Sequence, residues 1–286
     1  MQWWCSAQGV AWSWTWRPYV GVWLIVLVMA GWYWWAYRRA GEPARGDRRR
    51  VAAASAGVLL TWIAFDWPVG ALGAGYLASV HMVQFLLVAM IVPPLLLFGL
   101  PRPTLEGLTR RPALERTVRA ITQPIVGLVA FDIIVVTTHV PAVVDALMSS
   151  QLGSFALEMA WLVSGIAFWW PVVCDIPIRP RFGRPMKMGY LFLGTLAHTG
   201  VATYLLYATF PVYRTYELAP PIPGISALGD QEVAGGLMLL VGTVIVLGSI
   251  SVLFFRWQQE VAPESDATIG APGRFEAPAP GVQRDA

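Results

Sequence analysis

Residues Ala71–Phe98 read ALGAGYLASVHMVQFLLVAMIVPPLLLF, without a single Asp, Glu, Lys or Arg. At about 1.5 Å of rise per residue, this run exceeds the roughly 20 residues needed to cross a hydrocarbon core. Six further apolar stretches lie around it, at Pro18–Tyr37, Val51–Trp67, Ile121–Thr138, Phe155–Val173, Met188–Phe210 and Val233–Phe255. The basic residues fall in alternate connections. Arg38, Arg39, Arg45, Arg48, Arg49 and Arg50 follow the first stretch. Arg102, Arg110, Arg111, Arg116 and Arg119 follow the third, and Arg179, Arg181, Arg184 and Lys187 the fifth. Only Arg17 and Arg214 lie on the other side. Positive residues are retained on the cytoplasmic side of a membrane. The pattern therefore predicts an all-α polytopic membrane protein, a bundle of seven transmembrane helices with the N-terminus outside and the C-terminus cytoplasmic.

Composition agrees with a multi-pass chain in a lipid bilayer. Of the 286 residues, 56% are hydrophobic and 13% charged, far from the balance of a soluble domain. The net charge of +3 is no nucleic-acid footprint, because topology already accounts for the positive residues. The fifteen tryptophans fit as well: Trp3, Trp4, Trp12, Trp14 and Trp16 before the first span, and Trp32, Trp34 and Trp35 at its far end, read as interfacial belts. Residues 1–17 lack the basic start, apolar run and cleavage site of a signal peptide and read as an outer interfacial tail. Residues 18–256 form the membrane domain. Residues 257–286 turn abruptly to Ala, Pro, Gly and Glu and read as a disordered cytoplasmic tail. Cys5 and Cys174 are kept apart by this topology. The connection Pro101–Ala120 suggests a short surface helix, and Pro211–Glu232, rich in Pro and Tyr, is expected to fold over the bundle mouth.

Polar residues inside the spans carry whatever chemistry the chain has, because an intramembrane ionisable group costs about 2.5–3.5 kcal/mol near a helix centre. His81 and Gln84 are three apart on one helix face, and Asp132 and His139 are seven apart. Asp66 ends the second span, Glu158 opens the fifth, His198 lies mid-way along the sixth, and Asp230 and Gln231 open the seventh. With the orientation above, most of these converge toward the outer half. Each also has a structural reading. Asp66 and Asp230 fit interfacial or helix-capping positions. His139, before Val140-Pro141, fits a helix-end anchor, and His198, beside Thr199-Gly200, an interhelical hydrogen bond. Met82, Met90, Met159 and Met238 are packing residues or soft ligands. No nucleophile–base pair stands out, so no enzyme is expected. A small-molecule or ion transporter would show broken helices or related halves, and a b-type cytochrome would need two histidines at matched depth, as His81 and His198 could be.

Longer motifs carry a resemblance. His81-Met82-Val83-Gln84-Phe85-Leu86-Leu87, followed by Val92-Pro93-Pro94-Leu95-Leu96-Leu97-Phe98-Gly99-Leu100-Pro101, resembles the third-span signature of the CtaG family of cytochrome c oxidase assembly proteins. Four further pieces agree in order: His139-Val140-Pro141; Phe168-Trp169-Trp170-Pro171-Val172; Pro211-Val212-Tyr213-Arg214-Thr215-Tyr216; and Gly229-Asp230-Gln231-Glu232-Val233-Ala234-Gly235-Gly236-Leu237-Met238. The resemblance implies an assembly factor of the bacterial cytoplasmic (inner) membrane, with a terminal oxidase subunit as partner and copper as the candidate ligand. It implies a metal set of His81, His139, Glu158 and His198, supported by Asp66, Gln84, Asp132, Asp230 and Gln231. Two departures stand out. The family's second histidine, four residues after the first, is here Phe85, and a histidine near the start of the fifth span is replaced by Glu158 and Met159. A metal-free scaffold that holds an oxidase subunit by helix packing is the chief alternative, since it needs no site at all.

Overall fold

Gly41, with φ of 81°, stops the first apolar run where an L side chain would be strained. The run itself is α1 (Val20–Ala40). A single turn, α2 (Glu42–Arg45), reverses the chain into α3 (Arg48–Phe65), whose N-cap Asp47 accepts from the Arg50 amide. Trp23 near the start of α1 meets Trp62 near the end of α3 at 5.4 Å between ring centroids, so the two helices run antiparallel. These elements belong to a computed structural model, in which residues 2–110, 112–174 and 182–269 are described. Arg111, residues 175–181 with Arg179 and Arg181, and residues 270–286 lie outside the described part.

The long run Ala71–Phe98 is not one rod. Its glycine-rich start belongs to α4 (Val69–Gly75), which continues α3 after a 45° bend. Tyr76 and Leu77 break the helix, Leu77 being extended, and α5 (Ala78–Phe85) starts afresh. No side chain at Leu77 caps this new helix. Asp230, far along the chain, does so instead, accepting from the Ala78 amide at 2.5 Å and from the Ser79 amide and hydroxyl. A carboxylate there satisfies orphan N–H groups and faces the positive end of the helix dipole. Asp230→Ala is expected to cost about 1–2 kcal/mol, read as a lower midpoint of thermal unfolding in detergent.

From Phe85 the helix passes through a π-helical turn (Leu86–Ile91) into α6 (Val92–Phe98). Pro93 lacks an N–H, and its ring would crowd the carbonyl four residues back. The wider turn relieves that crowding, with the Val92 N–H bonding five residues back to Leu87. The basic connection holds two short helices rather than one, α7 (Arg102–Thr109) and α8 (Pro112–Ile121). Then α9 (Pro124–Thr137) bends by 79° into α10 (Pro141–Met148), and α11 (Gln151–Val173) runs unbroken. The sixth apolar stretch is split at Gly194 into α12 (Arg184–Leu193) and α13 (Thr195–Tyr207). A side chain at Gly194 would strike the Phe168 ring, its Cβ falling 2.5 Å from a ring carbon, which allows the close approach only to glycine. The single turn α14 (Arg214–Glu217) precedes α15 (Ala227–Ile269).

The described residues are thus all-helical, with four segments long and apolar enough to cross a membrane, or six if each bent pair counts as one span. Large apolar side chains such as Leu27, Val28, Ile125, Val163, Leu240 and Val244 are exposed on the outer faces. That is ordinary for a surface facing lipid and rare for one facing water. Basic side chains gather at one end. Arg50 donates to the Phe98 and Leu100 carbonyls, Lys187 to that of Val172, and Arg184 to that of Arg256.

Two differences from the sequence reading concern the ends. Residues 258–269, placed in the tail by composition, continue α15. Adding residues to a helix already nucleated costs little, and Arg184 pairs with Glu260 there. At the other end, part of the expected surface tail is inserted into the bundle. Trp4 and Cys5 are 0% exposed, whereas Trp14 and Trp16 stay open at 70% and 55%. The Gly21 amide donates to the Trp3 carbonyl at 2.8 Å, and Ala7 donates to the Met148 carbonyl at 3.1 Å.

Candidate functional site

Trp161 of α11, fully buried, is the wall on which the site is built. Its indole N–H donates to the Thr138 hydroxyl at 3.0 Å, which fixes the ring. His81 of α5 packs against it at 4.9 Å between centroids, and Phe85, one turn further on, at 5.3 Å. His139 reaches the same indole from the bend between α9 and α10, at 6.3 Å and nearly parallel. The bend has a local cause: Pro141 biases Val140 to extended backbone, so α9 ends and His139 turns inward. Phe85 meets His139 edge-on at 5.0 Å.

The hydrogen bonding of the two imidazoles sets their chemistry. His139 Nδ1 lies 2.7 Å from the Val135 carbonyl. A carbonyl only accepts, so Nδ1 carries the hydrogen and Nε2 the lone pair. That Nε2 is buried with no hydrogen-bond partner among the described residues, and the same holds for both nitrogens of His81. Buried polar atoms are nearly always bonded, and leaving one unbonded costs about 1–3 kcal/mol. Three such nitrogens on one aromatic wall are the most anomalous feature of the interior.

Beside them sits a second polar group. Glu158 of α11, 1% exposed, accepts from Gln84 Nε2 at 2.6 Å and from the Trp4 indole N–H at 2.8 Å. Both of its oxygens are engaged, and it anchors the inserted N-terminal segment. Cys5, next to Trp4, donates its thiol to the Phe65 carbonyl at 3.3 Å. Burial, with Glu158 adding to it, pushes that thiol well above its usual range, so it stays a thiol rather than a thiolate ligand.

The connection Pro211–Glu232 does close over this end. Tyr213 donates to the His139 carbonyl at 3.0 Å, and Tyr216 to the Gly73 carbonyl at 2.7 Å with its ring 5.9 Å from His81. Burial raises the Tyr216 phenol well above its usual value, which keeps it a donor. Asp145 of α10 holds the segment by accepting from the Thr215 amide and hydroxyl at 2.8 and 2.7 Å.

The remaining sequence candidates lie elsewhere or do other work. His198 places Nδ1 3.1 Å from the Thr195 carbonyl and Nε2 3.0 Å from that of Met238, linking α13 to α15. Gln231 accepts from the Val212 amide at 2.6 Å and donates to the Leu205 and Phe210 carbonyls. Asp66 caps the end of α3 and accepts from the Trp62 indole at 2.8 Å. Asp132 is half-buried, and the His139 Nδ1–H bonds the Val135 carbonyl instead of its carboxylate. Among the described residues no three His, Cys, Asp or Glu side chains converge closely enough to hold a metal ion. His81, His139, Glu158 and His198 therefore do not form one cluster there. The sequence reading passed over Trp161, inside the fifth apolar stretch, and placed Trp4 among the tryptophans of the membrane interface. The spacing of Glu158 and Trp161, three apart on one helix face, was the available signal.

The sequence model of the cytochrome c oxidase caa3 assembly factor family (Caa3_CtaG) matches residues 31–260. The chain belongs to this family. The matched region holds His81, His139, Glu158 and Trp161, while the inserted segment around Trp4 precedes it. An uncharacterized protein of Mycobacterium bovis and one of Mycobacterium tuberculosis are each 23% identical to this family member over 231 residues, 68% of this chain and 35% of theirs. The chain thus spans about a third of the length of the curated relatives it matches. No solved structure matches it.

Proposed function

We propose that this family member assists assembly of a haem-copper cytochrome c oxidase by holding copper as cargo between His81 and His139. The observation that carries this reading is the set of three buried imidazole nitrogens around Trp161 that have no partner among the described residues. Imidazole suits copper, and a site with few ligands lets an ion leave as readily as it enters. Glu158, with both oxygens engaged, and His198, whose ring lies between the Thr195 and Met238 carbonyls, play structural parts. The role is non-catalytic, and the partner is an oxidase subunit in a bacterial cytoplasmic membrane.

The same reading takes α1, α3–α4, α5–α6, α9–α10, α11, α12–α13 and α15 as seven spans. The bundle end carrying Arg50, Arg184 and Lys187 faces the cytoplasm by the positive-inside rule, and the histidine pair opens toward the outer side.

Phe85 offers a gain-of-function check. It lies four residues after His81 and already touches His139, so Phe85→His brings a third imidazole to the pair. Cu(I) affinity is expected to rise about tenfold or more, equal to about 1.4 kcal/mol, measured by competition with a chromophoric chelator.

The function itself is tested by oxidase activity in membranes of a deletion strain grown with and without added copper. Copper delivery predicts lost activity that added copper restores. Loss that copper does not restore favours a metal-free scaffold, a reading supported by the lack of a third converging ligand among the described residues. Unchanged activity in a strain without a second copy contradicts both.

A further inference from the structure

A groove of about 720 Å³ opens on the surface between α1, from Val26 to Arg38, and α3, from Val51 to Trp62. It uses none of the residues around the histidine pair. Its sides are mostly carbon, with Val26 and Ala30 on α1 and Val58 and Leu59 beside Ser55 on α3. Tyr33 and Tyr37 line it too, but their hydroxyls point away, donating to the Leu96 and Gly99 carbonyls at 2.7 Å each. At one end stand Arg38 and Arg45.

We infer that this groove binds one anionic phospholipid, with its acyl portion between α1 and α3 and its headgroup phosphate held by Arg38 and Arg45.

Length and charge select this occupant. From Val26 to Arg38 the helix rises about 18 Å, close to one leaflet, which is half of a hydrocarbon core about 30 Å thick. Flexible acyl chains suit such an apolar groove, and its basic end calls for a phosphate rather than for the apolar flank of a partner's helix.

The charged end suits a phosphate. Arg38 lies over the Trp34 ring at 4.7 Å, a stacking that leaves its N–H donors available. Arg45 pairs with Glu42 at 3.0 Å, but those side chains are 45% and 85% exposed, and an ion pair so open to solvent holds weakly. Two guanidinium groups against one carboxylate leave a net positive end. Basic pockets between spans at the headgroup level are the usual receptors for anionic lipids, and guanidinium forks match phosphate oxygens.

Native mass spectrometry of the full chain, purified in detergent and offered equal amounts of phosphatidylglycerol and phosphatidylethanolamine, tests the inference. Wild type is expected to retain one phosphatidylglycerol with about tenfold preference. Arg38→Gln/Arg45→Gln is expected to bring the preference near parity. Ala30→Trp, which fills the groove and keeps both arginines, is expected to abolish retention; Ser55→Phe, on the facing wall, serves if the tryptophan variant loses its helical circular dichroism. Equal retention of the two lipids by wild type would overturn the inference. So would undiminished retention in a folded groove-filled variant, or a dimer mass with no lipid, which would make a second copy the occupant.

Discussion

Replacing His81 with leucine is expected to leave the bundle as stable as the wild type, or about 1 kcal/mol more stable, while abolishing oxidase assembly. The imidazole is 5% exposed, and neither nitrogen has a hydrogen-bond partner among the described residues. A buried histidine kept for structure contributes through its hydrogen bonds, and here none is found. Leucine has nearly the same volume and no polar atoms to desolvate, so the swap removes a penalty without opening a cavity. Function and stability thus move in opposite directions, the usual sign of a residue retained for function. Thermal unfolding in detergent and oxidase activity in the complemented deletion strain read the two effects. A destabilised variant with intact activity would instead make His81 a packing residue. His139→Leu differs, because it also loses the bond to Val135, so it is expected to cost about 1 kcal/mol.

Trp4→Ala is expected to have the largest effect on stability. The indole is fully buried against Phe65 at 5.5 Å and Phe155 at 5.1 Å between centroids. Truncation leaves a cavity worth about 3–5 kcal/mol, and it strips Glu158 of one of its two donors, worth about another 1–3 kcal/mol. Trp4→Phe keeps most of the packing and should show only the second loss. Release of the segment is read directly at Cys5. In the wild type its thiol is buried and held at the Phe65 carbonyl, so a maleimide should label it slowly. In Trp4→Ala labelling should become fast, with Cys5→Ser as the control. Equal labelling rates and equal unfolding midpoints would show that the segment is not held by Trp4.

What the sequence disclosed followed the strength of the local physics. Long apolar runs and sorted arginines announced helices, a membrane and a basic end without help from tertiary contacts. The breaks were harder. Pro93-Pro94 invited a break that a π-helical turn absorbs, whereas Tyr76-Leu77 made one without any proline. That break depends on Asp230, a cap supplied from a helix about 150 residues away in the chain, and no local pattern reveals such a partner. His81, His139, Gln84 and Glu158 were legible as costly intramembrane polar groups, and Gln84 does bond Glu158. Their division into a histidine pair with three nitrogens unbonded among the described residues and a carboxylate bonded to the N-terminal segment was not. It depends on Trp161 and Trp4, residues whose type suits a membrane interface as well as a core. The difference lies in what surrounds the ring, and a linear sequence does not carry that.

The histidine pair is tested most directly by counting Cu(I) on the purified full chain in detergent, against a chelator of known affinity, for wild type, His81→Leu, His139→Leu and the double variant. A cargo site predicts one Cu(I) per wild-type chain and none in any of the three variants. Binding that persists in the double variant, or is absent from wild type, would contradict it.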